Sequence, residues 1–559
     1  MPDTRRLFLT GFSGSGKSAV ASLVAGALGW RALDTDQLIE EAAGRSIAEI
    51  FEREGEPGFR ELERQAVHQA AAQEKVVVAT GGGAMVAPEN RRAMADGGLV
   101  VCLEAQPQAI LERLRDTKVA PVSERPLLAG PDPLARIVEL KAQRQRIYAL
   151  ADLIIDTEGR TPQQVADAVV EAVRASDPWF ACHPERLLPP EERAGATATE
   201  PLSVAAGSRR YQVVVGWGAL DQLGELLRDA GLSGSAYVVS DRDVLARHGD
   251  RALLSLREAG FQADAFAIPA GEASKTLETA ATVYDWLVAQ RAERGHAIVA
   301  LGGGVVGDLA GFVAATYLRG VPLVQAPTSM LAMVDAAIGG KVAVDHREGK
   351  NLIGAFYQPR LVVEDVSTLK TLPRRTLAEG CAEIIKHAFI LDPQLLADLE
   401  TRSDDLLHLE PAFAVDIVRR NVAIKASVVA EDERDTGRRA ILNYGHTIGH
   451  AIEAAAGYGA VLHGEAISAG MMAAAEIGRR LGVTPPELVE RQRALLERFG
   501  LPTRGPRLDP ERVLAAIALD KKVSEGAVHW VLLEDVGRAV IRSDVPEELV
   551  REVVGEVLS

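Results

Sequence analysis

Residues 11–18 read GFSGSGKS: a glycine, four residues, then Gly-Lys-Ser. That is the pattern of a phosphate loop, in which backbone N–H groups and a helix N-terminus cradle phosphate oxygens. Lys17 is placed to reach the β and γ phosphates and Ser18 to hold Mg2+. Gly14, Ser15, Gly16 and Ala19 complete the candidate ATP contacts. A second group lies far downstream: Glu383, His446, His450 and His463. One carboxylate with two imidazoles makes a three-ligand zinc site whose fourth position is left to substrate. His446 and His450 are four apart and share a helix face, so spacing leaves open which of them is the ligand. One chain therefore carries two unrelated kinds of chemistry.

Other residues accompany each group. Around the first, Asp34 and Asp36 follow a short apolar run, and Arg60 and Glu63 sit at the i, i+3 spacing that lets them pair. Gly81, Gly82 and Gly83 follow another apolar run, where backbone can approach a ligand closely. ERPLL (124–128) reads as a mobile lid, and RQRIY (144–148) supplies more arginine. Around the second, Asp241 ends an apolar run in SDRDV and is placed to hold a ribose. PAGEASK (269–275) and ALGGGVVGDLAGFVA (300–314) follow, the latter a strand, Gly-rich turn and helix suited to a pyrophosphate. Arg319, Asp335, Lys341, Lys350, Asn351, Lys386, Lys425, Arg439 and Asn443 add a density of polar groups that predicts a phosphorylated, carboxylated substrate.

These side chains need elements to position them. Residues 1–175 alternate apolar runs (LFLT, VVVAT, LVVCLE, ADLIID) with amphipathic segments, the signature of a parallel α/β domain. Residues 176–205 are rich in Pro, Ala and charge without periodicity and read as a linker, the alternative being a packed connector anchored by Trp179 and Phe180. A second α/β pattern spans 206–375. Residues 376–559 are dominated by Ala/Leu/Glu/Arg-rich helical segments, with a hairpin signal in VHWVLLEDVG (528–537).

At 559 residues the chain is expected to form roughly three or four domains. A net charge of −16 argues against nucleic-acid and anionic-membrane partners. Three dispersed cysteines, Cys102, Cys182 and Cys381, argue against a disulfide framework and favour a cytoplasmic location. No run of 18 apolar residues occurs, and the first apolar run leads into the phosphate loop, as a strand and not a signal peptide would.

In order and spacing, residues 5–170 resemble shikimate kinase. The resemblance implies that Asp34 and Asp36 work with Mg2+ and the shikimate hydroxyls, with Asp36 accepting the attacked hydroxyl's proton. It implies that Arg60 and Arg144 clamp the carboxylate, that Gly81–Gly83 contact the ring, and that Arg125 closes onto the transferring phosphate. Arg115 and Lys118 are both candidates for a second lid cation.

From 205 to 559 the chain resembles 3-dehydroquinate synthase, through PAGEASK, GGGVVGDLAGFVA, PTSMLAMVDAAIGGK, KNLIGAFYQP, AEIIKHA, LNYGHTIGHAIE and HGEAISAGM. The resemblance implies that Asp241, Glu272, Lys275, Gly303, Gly304, Asp308, Thr328, Ser329, Lys341 and Lys350 bind NAD. It implies that Glu383, His446 and His463 hold Zn2+, with Co2+ as a substitute. Arg319, Asp335, Lys341, Asn351, Lys386, Lys425, Arg439, Asn443 and His450 would bind substrate or relay protons, with Lys341, Lys386, Lys425 and His450 catalytic. Either Lys521 or Lys522 would also touch substrate. The implied reaction uses NAD+ transiently, eliminates phosphate from 3-deoxy-D-arabino-heptulosonate 7-phosphate, and closes a carbocycle.

The two resemblances imply a bifunctional shikimate-pathway enzyme with independent activities, whose halves, cut near 190, are each expected to retain turnover. A homodimer through the synthase half is expected. The alternatives are another sugar-phosphate cyclase or polyol dehydrogenase in the C-terminal half, or a degenerate binding module in either half.

Overall fold

The computed structural model describes residues 6–96, 98–116, 127–128, 131–175, 179–192, 200–207, 209–433, 437–457, 459–523 and 528–558. Two compact units form: residues 1–198 with 246–254, and residues 199–245 with 255–559.

In the first unit, strands β1 (Arg6–Thr10), β2 (Arg31–Asp34), β3 (Val76–Ala79), β4 (Gly98–Glu104) and β5 (Leu153–Asp156) form a parallel sheet in the order β2-β3-β1-β4-β5. The central strands are continuous apolar runs because helices cover both faces. The helices are α1 (Lys17–Leu28), α2 (Thr35–Ala43), α3 (Ile47–Ala71), α4 (Pro88–Ala95), α5 (Pro107–Asp116), α6 (Pro133–Tyr148) and α7 (Pro162–Arg174), with a short α8 at Trp179–Cys182. Leu7, Leu9, Val77, Ala79, Val101 and Leu103 pack against Val20, Val24, Val165 and Val169. Helix α3 bends at Gly55 (φ 68°), two residues before Pro57, where the proline ring cannot continue the helical ladder.

The segment read as a linker is partly built into these units. Trp179 and Phe180 join the first unit's core, and two short 3-10 turns, Pro184–Leu187 and Pro190–Glu192, follow. The aromatic anchors outweigh the proline content. At its other end, Leu202–Ala206 is strand β6 of the second unit.

The second unit's main sheet runs β6-β7-β14-β11-β10-β8-β9, parallel except for the β6–β7 pair. Its strands are β7 (Arg209–Gly216), β8 (Ser235–Asp241), β9 (Gln262–Ile268), β10 (Ala297–Gly302), β11 (Leu323–Pro327) and β14 (Leu361–Asp365). A hairpin, β12 (Lys341–His346) with β13 (Gly349–Phe356), stands apart. Helices α9 (Leu223–Asp229), α10 (Arg242–Val244), α12 (Leu277–Ala289) and α13 (Gly304–Thr316) intervene, as does α11 (Asp250–Glu258), whose residues 250–254 are grouped with the first unit. The remainder is helical: α14 (Arg374–Leu391), α15 (Pro393–Leu407), α16 (Pro411–Glu431), α17 (His446–Ala456), α18 (His463–Arg480), α19 (Pro486–Arg498), α20 (Pro510–Val523) and α21 (Glu547–Val557). The expected hairpin is present among them, as β15 (Trp530–Asp535) and β16 (Arg538–Arg542). No described helix is long and apolar enough to cross a membrane.

Candidate active sites

The phosphate loop joins the C-terminal end of β1 to the N-terminus of α1. Gly14 and Gly16 take φ values of 86° and 96°, and Gly16 caps α1 with no side-chain donor or acceptor in the way. The first-turn amides of α1 therefore point into the loop. Lys17 is buried, and its Nζ donates to Gly11 O (3.0 Å) and Phe12 O (2.9 Å). Ser18 Oγ donates to Asp34 Oδ2 at 2.6 Å, and Asp34 Oδ1 accepts from Asp36 N at 2.9 Å. A hydroxyl beside a carboxylate at the loop is a hard oxygen set that fits Mg2+.

Arg60, Glu63, Arg144 and the three glycines converge. Arg60 Nη1 donates to Glu63 Oε2 at 2.8 Å, and Glu63 is 1% exposed. A Cβ on Gly83 would fall on the Arg60 guanidinium. Arg144 Nη1 donates to Gly82 O at 3.3 Å, and the Tyr148 hydroxyl donates to the same oxygen at 2.5 Å. Burial pushes the Glu63 carboxyl above its ordinary range, against the pull of Arg60 and Arg144. Asp36 Oδ1 would lie 3.1 Å from a Cβ on Gly81, so the carboxylate borders the same turn. Ser15 is buried in the loop; Ala19 follows in α1. Arg125 and Lys118 lie outside the described residues, and Arg115 is exposed near the end of α5.

In the second unit, the C-terminal ends of adjacent strands β8 and β10 carry Asp241 and the Gly303–Gly304 turn. Gly303 caps α13 without a side-chain hydrogen bond, which leaves first-turn amides available. Ligands of open α/β sheets bind at such strand ends. Asp241 Oδ1 accepts from Asp243 N and Val244 N, both 3.0 Å. Thr328 N donates to Gly302 O (3.0 Å), and Ser329 Oγ would lie 3.5 Å from a Cβ on Gly303, so both lie next to the turn. Lys275 Nζ is 2.5 Å from Asp308 Oδ2 and also donates to Asn351 Oδ1. Burial raises Asp308 to about 6, although Lys275 opposes it. Lys350 Nζ lies 3.5 Å from Glu272 and 3.7 Å from Glu453.

Helices α14, α17 and α18 pack together and bring the metal candidates into one place. A Cβ at Gly464 would strike the Glu379 carbonyl, so glycine allows α18 to meet α14. Glu383 Oε1 is buried without a hydrogen-bond partner and faces His446 Nε2 at 3.5 Å and His463 Nε2 at 3.9 Å. Ligand atoms around a tetrahedral zinc stand roughly 3.3 Å apart, so this orphaned oxygen and the two imidazoles fit a cation between them. Ring nitrogens of His446, His450 and His463 all lie within 4.8 Å of one another.

The other imidazole nitrogens are engaged. His446 Nδ1 meets Tyr444 O at 3.3 Å, and His463 Nδ1 meets Glu453 Oε2 at 3.1 Å. Each contact leaves Nε2 turned toward Glu383 Oε1. Burial, with Lys386 nearby, holds His446 well below its ordinary pKa and keeps it neutral. Burial also disfavours the charged form of His463, but Glu453 and Glu383 outweigh it and raise that pKa.

Lys386 pairs with the other Glu383 oxygen, and Lys425 pairs with Asp335. Burial opposes ionisation of Asp335, yet Lys425 and Lys386 hold it far below the carboxylate range. Arg439 is buried, with Nη1 on Glu433 O at 3.0 Å. Arg319 (φ 65°), Lys341 and Asn443 are exposed on the turn after α13, at the start of β12 and before α17. The side chains of Lys521 and Lys522 on α20 lie outside the described residues.

Glu453 was not singled out in the sequence. Its signal was there: His446, His450 and Glu453 recur at i, i+4 and i+7 on α17. Glu379, raised by burial to about 7 beside His463, had no such signal.

The folds and sites define two classes of enzyme on one chain: a P-loop phosphotransferase, and an α/β-plus-helical enzyme with a metal-ligand cluster. Residues 13–174 match the shikimate kinase family, 265–379 the 3-dehydroquinate synthase N-terminal family, and 380–523 the 3-dehydroquinate synthase C-terminal family. The 3-dehydroquinate synthase of Nostoc punctiforme is 45% identical over 359 residues, 64% of this chain and 99% of the relative. That of Symbiobacterium thermophilum is 48% identical over 348 residues, covering 62% and 97%. Among solved structures, 2-deoxy-scyllo-inosose synthase complexed with carbaglucose-6-phosphate, NAD+ and Co2+ aligns with TM-score 0.58 and 29% identity over 64% of this chain and 100% of that one. The 2-epi-5-epi-valiolone synthase of Streptomyces hygroscopicus, with NAD+ and Zn2+ bound, aligns at 0.58 and 28% identity, covering 65% and 98%. The chain belongs to the 3-dehydroquinate synthase family and carries a shikimate kinase domain ahead of it, two enzymes of the shikimate pathway.

Proposed function

We propose that the N-terminal unit phosphorylates shikimate from ATP through the residues described above. The convergence of Arg60 and Arg144 on Gly81–Gly83 supports this most directly. Two guanidinium groups beside a backbone turn suit a carboxylate on a ring, because arginine binds carboxylates bidentately. Lys17 would exchange its two loop carbonyls for the β and γ phosphates. Ser18 and Asp34 would hold Mg2+, which supplies charge neutralisation at the phosphates. Asp36, at the same turn, would take the proton of the attacking hydroxyl.

In the synthase unit, Glu383, His446 and His463 would hold Zn2+ or Co2+, and the Gly303–Gly304 turn with Asp241, Glu272, Lys275, Asp308, Thr328, Ser329, Lys341 and Lys350 would hold NAD+. When bound, these supply a Lewis acid and a reversible hydride acceptor. Lys386, Lys425 and Arg439 are buried cations that would bind the substrate's anionic groups, with Arg319, Lys341, Asn351 and Asn443 completing the pocket. His450, in the imidazole cluster, would relay a proton, and Asp335 would orient Lys425. We place the boundary between the NAD and metal domains near residue 375.

The chain is assigned to the cytoplasm, in keeping with buried, unpaired Cys102 and Cys381. A homodimer through the synthase half is supported by Leu352 and Phe356 on β13, 65% and 50% exposed.

Paired assays test the function. With excess Mg2+, shikimate-dependent ADP formation should survive a transition-metal chelator. Phosphate release from 3-deoxy-D-arabino-heptulosonate 7-phosphate should stop and return with Zn2+. Accumulation of NADH instead of catalytic use would identify a dehydrogenase and overturn the synthase reading.

A further inference from the structure

The chain does not leave the first unit where the kinase match ends at residue 174. Trp179 and Phe180 are 8% and 7% exposed and pack with the α7 valines. Arg186, 3% exposed, donates to both Asp152 oxygens (2.6 and 2.9 Å), to Gly98 O (2.8 Å) and to Ala95 O at the end of α4 (3.3 Å). Farther on, Glu192 pairs with Nη2 of Arg91, in the middle of the same helix.

Arg91 is the point of leverage, because its side chain is 0% exposed. Its Nη1 donates to Met85 O (2.6 Å) and Val86 O (2.9 Å). Those carbonyls belong to the 3-10 turn Ala84–Val86. That turn is tied to the preceding glycines: Ala84 N donates to Gly81 O (3.1 Å) and Val86 N to Gly83 O (2.9 Å). A continuous path runs from Glu192 through Arg91 to Gly81 and Gly83. A buried guanidinium keeps a fixed pose only while its charge is paired.

We propose that Glu192, outside the kinase match, is a positioning residue for the shikimate pocket. It holds Arg91 and, through the Met85 and Val86 carbonyls, the Gly81–Gly83 turn against Arg60 and Arg144. The assignment rests on reading those glycines as shikimate contacts. It makes residues 179–192 a strap belonging to the kinase.

The test uses the full chain. Glu192→Gln should raise the KM for shikimate about tenfold, as a small displacement of positioning groups does. The KM for ATP, kcat and synthase turnover should stay within about twofold, and Glu192→Asp should recover much of the loss. The double variant Arg91→Met/Glu192→Gln carries no buried charge and separates positioning from stability. It should restore the melting temperature while the shikimate KM stays high, since the two carbonyls still lack their donor. It also gives the readout if Glu192→Gln does not fold. An unchanged shikimate KM in the single variant, or a normal one in the double variant, overturns the proposal. So does a parallel rise in both substrates' KM values. A wild-type chain with no shikimate-dependent ADP formation would overturn the kinase reading itself.

Discussion

Glu453 offers a sharp test of the metal site. Its Oε2 lies 3.1 Å from His463 Nδ1, and His463 Nε2 faces the orphaned Glu383 Oε1 at 3.9 Å. The carboxylate fixes the tautomer with hydrogen on Nδ1 and makes Nε2 a stronger donor. Glutamine preserves the shape and one acceptor but loses the charge, beside a Lys350 ammonium only 3.7 Å away. Leucine removes the contact altogether. Loss of an outer partner to a ligating histidine costs about 10- to 100-fold in metal affinity, or about 1.4 to 2.8 kcal/mol. Glu453→Gln is therefore expected near the lower figure and Glu453→Leu near the upper. The assay is zinc competition against a fluorescent chelator on the full chain at about pH 8. Kinase turnover in the same sample reports integrity of the other unit. If both variants bind zinc within about twofold of the parent, Glu453 does not orient a ligand. The assignment of His463 Nε2 to the metal would then fail.

Two further outcomes are expected. Lys17→Ala should lower kinase turnover by about a hundredfold to a thousandfold, the range for loss of one charge-stabilising donor, and leave phosphate release by the synthase unchanged; coupled assays on one preparation decide. Glu364, buried on β14 with neither carboxylate oxygen hydrogen-bonded, has its pKa pushed well above the carboxylate range by burial. Because the folded state holds the proton more tightly, stability is fully present below the unfolded pKa of about 4.3. It should be lost as pH rises through the folded value. Glu364→Leu should abolish that decline and stabilise the unit by about 1 to 3 kcal/mol at neutral pH, read by calorimetry across pH; matching slopes in parent and variant would refute it.

Much of both candidate sites was legible because the features that suggest them are local. The phosphate loop needs only a strand, glycines and a helix start, and all occur within residues 6–28. The zinc candidates stood out because carboxylate and imidazole are rare together in helical, glycine-rich sequence. Glu453 shares a helix face with His446 and His450, but its meaning depends on α18 placing His463 opposite it. In the strap, Trp179 and Phe180 were legible as anchors, whereas Arg186 and Glu192 were not. Proline and charge suggested a tether, but Trp179, Phe180, Arg186 and Glu192 act through partners in the core, just before β5 and on α4. A separation near 190 would cut Glu192 from the kinase; one past 192 keeps it.

The strap also bears on how the chain is made. Synthesis proceeds from the N-terminus, and domains fold as they emerge. When α7 leaves the ribosome, the five strands of the first sheet are complete, but Arg91 still lacks its counter-charge. The kinase can finish only after Glu192 appears, with β6 of the synthase close behind at Leu202. A stop codon placed directly after α7 would release a nascent kinase with its last fastening missing.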